Sequence, residues 1–232
     1  MQNRCTMPLF SKKKPRQSLS KEVSLLQFRL PAGFRAESGN PVFPSKKRFA
    51  PGFLTLTPPS DQVLAWSTTL APYREKCILA VNLSKDIVRQ FSLVYDFADF
   101  IIIDPDADDG IASPDLSDTT ALLDELISLR LCYERYTPIY LRLAEGLTPE
   151  EMRALLSACR LSGIDGVVAP GIRKVRFTAE ETQGRYPIIG SGAQSPEEAL
   201  DQLQAGAALV ETQLRPIPFV RLVKLLENQQ HD

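Results

Sequence analysis

YPIIGSGAQSPEEALDQLQAGAALVE, residues 186–211, decides how this chain is read. An apolar run from Tyr186 ends in Gly190-Ser191-Gly192-Ala193, where two glycines allow backbone amides to come close to an anion. Ser195 then stands at an N-cap, Pro196 at the first helical position, and Glu197 and Glu198 in the first turn, as the helix dipole prefers. Leu200, Leu203 and Ala207 continue the buried side of that helix, and Ala205-Gly206-Ala207 leads into a second short apolar run. Strand, glycine turn, capped helix and strand in this order build the phosphate site after the seventh and eighth strands of many (β/α)8 barrels. Backbone amides and local dipoles hold the anion there, so no cationic side chain is required. Gly190, Ser191, Gly192 and Ala193 are therefore the predicted binding residues, and a phosphate-bearing small molecule is the predicted ligand class. A tight barrel turn without a ligand is the plainer explanation of the same glycines.

Working outward, short apolar runs alternate with segments of helical period, the pattern of βα units on a parallel sheet. Strands are predicted near Leu25–Leu30, Phe53–Thr57, Cys77–Leu83, Phe100–Asp104, Pro138–Leu143, Gly166–Ala169, Tyr186–Gly190 and Ala208–Thr212. Eight strands make a single α/β domain, a (β/α)8 TIM barrel over residues 21–232, preceded by a basic leader over residues 1–20. A helix is predicted over Ser117–Tyr133, with Ser117 or Asp118 as its cap and Leu122, Leu123, Leu126, Leu129 and Leu131 as its apolar stripe. Thr148 with Glu151 forms a capping box for the next helix, and Pro218–Asn228 makes the last one. Four prolines between Pro31 and Pro51 make the first βα unit irregular, and the polar stretch Ile172–Gly184 promises at most a short helix.

Bulk properties narrow the class further. The chain has 232 residues, 44% hydrophobic and 24% charged, with a net charge of −1, ordinary values for a soluble globular protein. Residues 1–50 hold 11 Lys/Arg against 2 Asp/Glu, so the leader is strongly basic. A nucleic-acid role is disfavoured because no aromatics interleave with its lysines, and a flexible, solvated leader is expected. No apolar run approaches the roughly 20 residues of a membrane span, and no signal-peptide pattern is present, so the cytoplasm is the expected compartment. Four scattered cysteines form no CxxC pair, and His231 is the sole histidine, which argues against disulfides, a structural zinc site and a serine-histidine triad.

Several segments, in order, resemble dihydroorotate dehydrogenases. PIYLRLAEGLT (138–148) is similar to that family's fifth-strand segment, GIDGVVA (163–169) to its sixth strand, and residues 186–210 to its flavin-phosphate region. Ala32-Gly33-Phe34, Gly52-Phe53, Ala80-Val-Asn82-Leu-Ser-Lys85 and Ala98-Asp99-Phe100 echo the first four strands. The resemblance implies a (β/α)8 barrel, FMN as cofactor, oxidation of dihydroorotate to orotate in pyrimidine synthesis, and a homodimer. It also implies that Asn82 contacts flavin or substrate, that Arg142 stands where the family has a flavin-contacting lysine, and that Thr212 lies in the region after strand eight that helps hold phosphate.

The chain departs from the family where chemistry is done. Asp104-Pro-Asp-Ala-Asp-Asp-Gly110 offers no serine or cysteine at the base position, Pro170-Gly171 replaces a Thr-Asn pair, and Glu211-Thr212-Gln213 replaces a Tyr-Thr pair. Two main readings remain. One is a catalytically impaired, dehydrogenase-like pseudoenzyme that keeps a phosphate site, with or without FMN. The other is a working FMN oxidoreductase in which Asp104, Asp106 or Asp108 serves as base. Asp104, Asp106, Asp108 and Asp115 also match part of a calcium-loop pattern, but position six is Asp109 rather than glycine, so no metal site is predicted. A purely structural or interaction role is the fourth possibility.

Overall fold

A computed structural model describes residues 26–29, 53–56, 78–105 and 116–212. Eight strands occur there: β1 Leu26–Arg29, β2 Phe53–Leu56, β3 Ile78–Leu83, β4 Phe100–Ile103, β5 Ile139–Arg142, β6 Gly166–Pro170, β7 Ile188–Ala193 and β8 Leu209–Thr212. Five helices alternate with the last six of them: α1 Ile87–Val94, α2 Leu116–Arg130, α3 Pro149–Ser162, α4 Gly171–Glu181 and α5 Pro196–Gln204. From β3 to β8 this is a curled parallel sheet with an alternating helix layer, the architecture of a (β/α) barrel. The backbones of β1 and β2 pair in parallel with each other, β2 with β3 and β1 with β8, so the strand order runs in a ring. The connections after β1 and β2, the leader and the predicted helix Pro218–Asn228 lie outside the described residues.

Two apolar layers follow from the period-two alternation of the strands. Leu79, Val81, Leu83, Ile101, Ile103, Ile139, Leu141, Val167, Ala169, Ile188 and Val210 face outward and join the helix side chains in the larger core. Ala80, Phe100, Ile102, Tyr140, Val168 and Ile189, with Leu209 against them, fill the interior. Near-continuous runs such as FIII are buried on both faces, as parallel strands under helices must be. Tyr140 meets the Phe100 ring edge-on at 5.4 Å, and its own ring lies across Gly166, where a Cβ would come within 2.5 Å of it.

Helix ends follow local chemistry. The Thr148 hydroxyl accepts from the Glu151 amide while the Glu151 carboxylate accepts from the Thr148 amide, a complete capping box. Ser195 likewise accepts from the Glu198 amide at the start of α5.

Three expectations need correction. Helix α2 begins at Leu116, so Ser117 and Asp118 lie inside its first turn, not at its cap; it ends at Arg130, leaving Leu131 81% exposed beyond the stripe. Residues 171–181 form an eleven-residue helix rather than a short one. Val175 and Thr178 are buried there and Phe177 packs beside them, so a sparse stripe suffices when the other residues are good helix formers. Finally, β7 does not stop at Gly190 but continues to Ala193, with a register shift against β8 between Gly190 and Ala193.

Candidate functional site

Moving two residues further along each strand from the apolar interior layer leads to its C-terminal mouth. That step takes Ala80 to Asn82, Ile102 to Asp104, Tyr140 to Arg142, Ile189 to Ser191 and Leu209 to Glu211. The interior thus changes from an apolar plug to a polar layer at one level, and five side chains from β3, β5, β7, β8 and the end of β4 meet there.

Arg142 is the hub. Its Nε lies 3.0 Å from Asp104 Oδ2, its Nη2 donates to Glu211 Oε2 at 2.9 Å, and its Nη1 donates to Ser191 Oγ at 3.4 Å. Nε and Nη2 share one edge of the guanidinium, the fork that usually grips a single carboxylate. Here that edge is split between two carboxylates, and the Nε contact is an ion pair without an aligned hydrogen bond. Exposure of the three side chains is 11% for Arg142, 8% for Asp104 and 2% for Glu211, so water screens little of this network. The Asn82 amide donates from Nδ2 to Asp104 Oδ2 at 3.4 Å, while its Oδ1 is buried with no hydrogen-bond partner. Among the described residues, one guanidinium thus meets two buried carboxylates.

The β7 turn stands beside this layer. Gly192 has φ +79°, with open space where a Cβ would project. Gly190 serves a different purpose from the one expected: it faces the helix layer, where a Cβ would lie 2.3 Å from Gln202 Oε1. Gln202, buried on α5, donates from Nε2 to the Ser191 carbonyl at 3.0 Å and so pins the turn from behind. The start of α5 is already supplied with acceptors, because Glu198 Oε2 takes the Gln194 amide at 2.8 Å and Ser195 takes that of Glu198.

Of the sequence-predicted residues, the structure gathers Asn82, Asp104, Arg142 and Ser191 into one network and places Gly190, Gly192 and Ala193 in the adjoining strand end. The Thr212 backbone pairs with Ala193 and Phe28; its side chain, and the whole of Asp106 and Asp108, lie outside the described residues. Asp104 is held by Arg142 and Asn82 instead of standing free at the mouth. Glu211 and Gln202 are participants that sequence reading did not single out. The signal for Glu211 was available, since it follows an interior apolar residue by two, as Arg142 follows Tyr140; nothing local marks Gln202.

Lys174, in the first turn of α4, donates to the Ala144 carbonyl just beyond β5. Burial pushes its ammonium below the ordinary lysine range, and the Glu145 carboxylate opposes that shift. Among the described residues no group of three or more His, Cys, Asp or Glu converges as a metal site would, and no helix is long and apolar enough to cross a membrane.

The residues present fit the two ends of FMN unequally. An open glycine of left-handed φ suits a phosphate. The two positions that the resemblance assigns to flavin contact, Asn82 and Arg142, instead turn their donors onto carboxylates. For the isoalloxazine end the described residues do not fit.

Comparison with known proteins agrees with the fold. No family model matches the chain. It is 24% identical over 159 residues to a dihydroorotate dehydrogenase (quinone) of Christiangramia forsetii, covering 55% of this chain and 47% of the relative. It is 27% identical over 161 residues to that of Aeromonas hydrophila, covering 51% and 46%. The chain thus spans about half the length of the curated relatives it matches. Among solved structures, the Eimeria tenella dihydroorotate dehydrogenase in complex with ferulenol superposes with a TM-score of 0.61 at 18% identity, covering 73% of this chain and 62% of that one. The deoxyribose phosphate aldolase of Aeropyrum pernix superposes with a TM-score of 0.64 at 14% identity, covering 90% and 93%. Identities this low establish a shared barrel architecture and a distant likeness to dihydroorotate dehydrogenases.

Proposed function

We propose that this chain is a (β/α)8 barrel of dihydroorotate-dehydrogenase type that binds a phosphate-bearing small molecule at its C-terminal mouth and has lost the family's dehydrogenation. The observation that carries the reading is the Arg142 network. Its guanidinium is spent on Asp104, Glu211 and Ser191, so the cation best placed to meet an anionic substrate is already neutralised inside the protein. Dihydroorotate is a carboxylate, and it would approach the buried carboxylates of Asp104 and Glu211, which already hold that guanidinium. Asp104 is the sole carboxylate of the described part of the loop after β4, and it is bound to a guanidinium rather than aimed at a substrate carbon. Retention of Gly192 at a left-handed, unobstructed position beside α5 supports phosphate binding, through the bulge amides and the end of β8.

Titration of the full-length 15N-labelled protein with inorganic phosphate tests the binding half. Saturable movement of the Gly192 and Ala193 amide signals, abolished by Gly192→Val, is the expected result. Signals that stay in place, or that move equally in Gly192→Val, contradict it.

A further inference from the structure

Gln202 is 2% exposed on α5, and its side-chain amide lies against Gly190, where a Cβ would stand 2.3 Å from Oε1. The missing side chain at 190 is what leaves room for it. Nε2 donates to the Ser191 carbonyl at 3.0 Å, while among the described residues Oε1 has no hydrogen-bond partner. A buried acceptor left unpaired is costly, and a methionine would fill the same space without that penalty. Packing therefore does not account for an amide at this position. The bond to the Ser191 carbonyl does.

The peptide joining Ser191 to Gly192 is trans, so its N–H points opposite to its carbonyl. Gln202 holds that carbonyl toward α5, which turns the Gly192 N–H away from the helix layer and toward the interior side of the strand. Gly192, at φ +79°, has no Cβ to resist the opposite arrangement, in which the peptide turns over. One arrangement offers an anion a donor, and the other offers it a carbonyl oxygen that repels it. From this we infer that Gln202 is the positioning residue of the phosphate turn: it locks the Ser191–Gly192 peptide with its N–H inward and so sets the turn's preference for an anion. The inference rests on the reading of this turn as a phosphate site. On the other side of the strand the Ser191 hydroxyl meets Arg142 Nη1 at 3.4 Å, so Ser191 is clamped from inside and outside together.

The test titrates inorganic phosphate into full-length 15N-labelled wild type, Gln202→Met and Thr178→Val, read at the Gly192 and Ala193 amides. Methionine keeps the side-chain volume and removes both amide atoms. Thr178 is the control: it is fully buried on α4, and its Oγ1 also lacks a hydrogen-bond partner among the described residues. Gln202→Met is expected to weaken phosphate binding at least about tenfold, the effect of losing one oriented donor to a charged ligand. It should also broaden the Gly192 signal of the free protein, as the peptide samples both orientations, and melt within about 5 °C of the wild type. Thr178→Val is expected to bind phosphate as the wild type does. Unchanged affinity in Gln202→Met, or a Gly192 signal as sharp as the wild type's, overturns the inference and leaves the phosphate site standing. Weaker binding with a melting temperature more than about 5 °C lower, or an equal loss in Thr178→Val, also overturns it, because Gln202 then acts through packing alone. No saturable response in the wild type overturns the phosphate site, and the inference falls with it.

Discussion

Replacing Arg142 with methionine removes the guanidinium that two buried carboxylates share. Asp104 and Glu211 keep 8% and 2% exposure, so neither can recover its hydration without opening the mouth. Breaking a buried pair by deleting one partner costs about 3–5 kcal/mol, because the surviving charge is left uncompensated. Two survivors put the expected loss at the upper end of that range. For a domain of this size each kcal/mol lowers Tm by about 2–4 °C, so Arg142→Met should melt roughly 10–20 °C below the wild type. Arg142→Lys keeps a charge but not the fork that serves two acceptors and Ser191, and should cost about 1–2 kcal/mol. The decisive variant is the triple change Arg142→Met, Asp104→Asn and Glu211→Gln. With no stranded charge it should recover most of the loss, since the penalty belongs to the orphaned carboxylates rather than to the missing attraction. Urea unfolding followed by circular dichroism measures all three. An Arg142→Met protein within about 1 kcal/mol of wild type, or a triple variant no better than the single one, would refute the assignment of a tight, desolvated network.

Three further outcomes follow from other parts of the fold. Gly190→Ala sets a Cβ against Gln202 and competes with the Gln202–Ser191 bond, so it should cost about 1–3 kcal/mol in urea unfolding; in a Gln202→Ala background that cost should vanish. Gly166→Ala drives a Cβ into both the Tyr140 ring and the Pro187 carbonyl at 2.5 Å, one of them backbone, and should cost about 3 kcal/mol by the same measurement, with no rescue from trimming one neighbour. Burial pushes the Cys159 thiol up from its ordinary 9.0 to about 12. Its contribution to stability is therefore whole below pH 9 and lost as pH rises toward 12, because only the unfolded chain ionises in that window. That contribution should fall by about 1.4 kcal/mol per pH unit there, and Cys159→Ala should make the alkaline slope of the unfolding free energy shallower by that amount.

Much of the scaffold is legible in the sequence because its signals are local. Thr148 and Glu151 announce a capping box, Ser195 and Pro196 announce a helix start, and β-branched runs such as Phe100–Ile103 announce buried strands. Helix α4 is hard to see because only Val175 and Thr178 are fully covered, and two buried positions in eleven make a weak stripe. The polar layer is harder still. Strands buried on both faces show no alternation, so the inward set cannot be separated from the outward one until a single strand has been placed. Once Ala80 and Ile102 are known to point inward, the step of two residues assigns Asn82, Asp104, Arg142, Ser191 and Glu211 together. The family resemblance led to Asn82 and Arg142 by position, but not to what they do: the charge pairing between β5 and β8 is a contact across 69 residues that no local pattern encodes. The packing of Gln202 onto Gly190 is hidden for the same reason, and it reassigns one of the two glycines first read as a phosphate cradle.

The central claim, a dehydrogenase-like barrel whose mouth no longer dehydrogenates, is tested most directly by anaerobic mixing of dihydroorotate with full-length protein supplied with excess FMN, followed by flavin absorbance. No bleaching beyond that of free FMN is expected, at any pH at which the protein is folded. Protein-dependent bleaching that is lost in Asp104→Asn would contradict it.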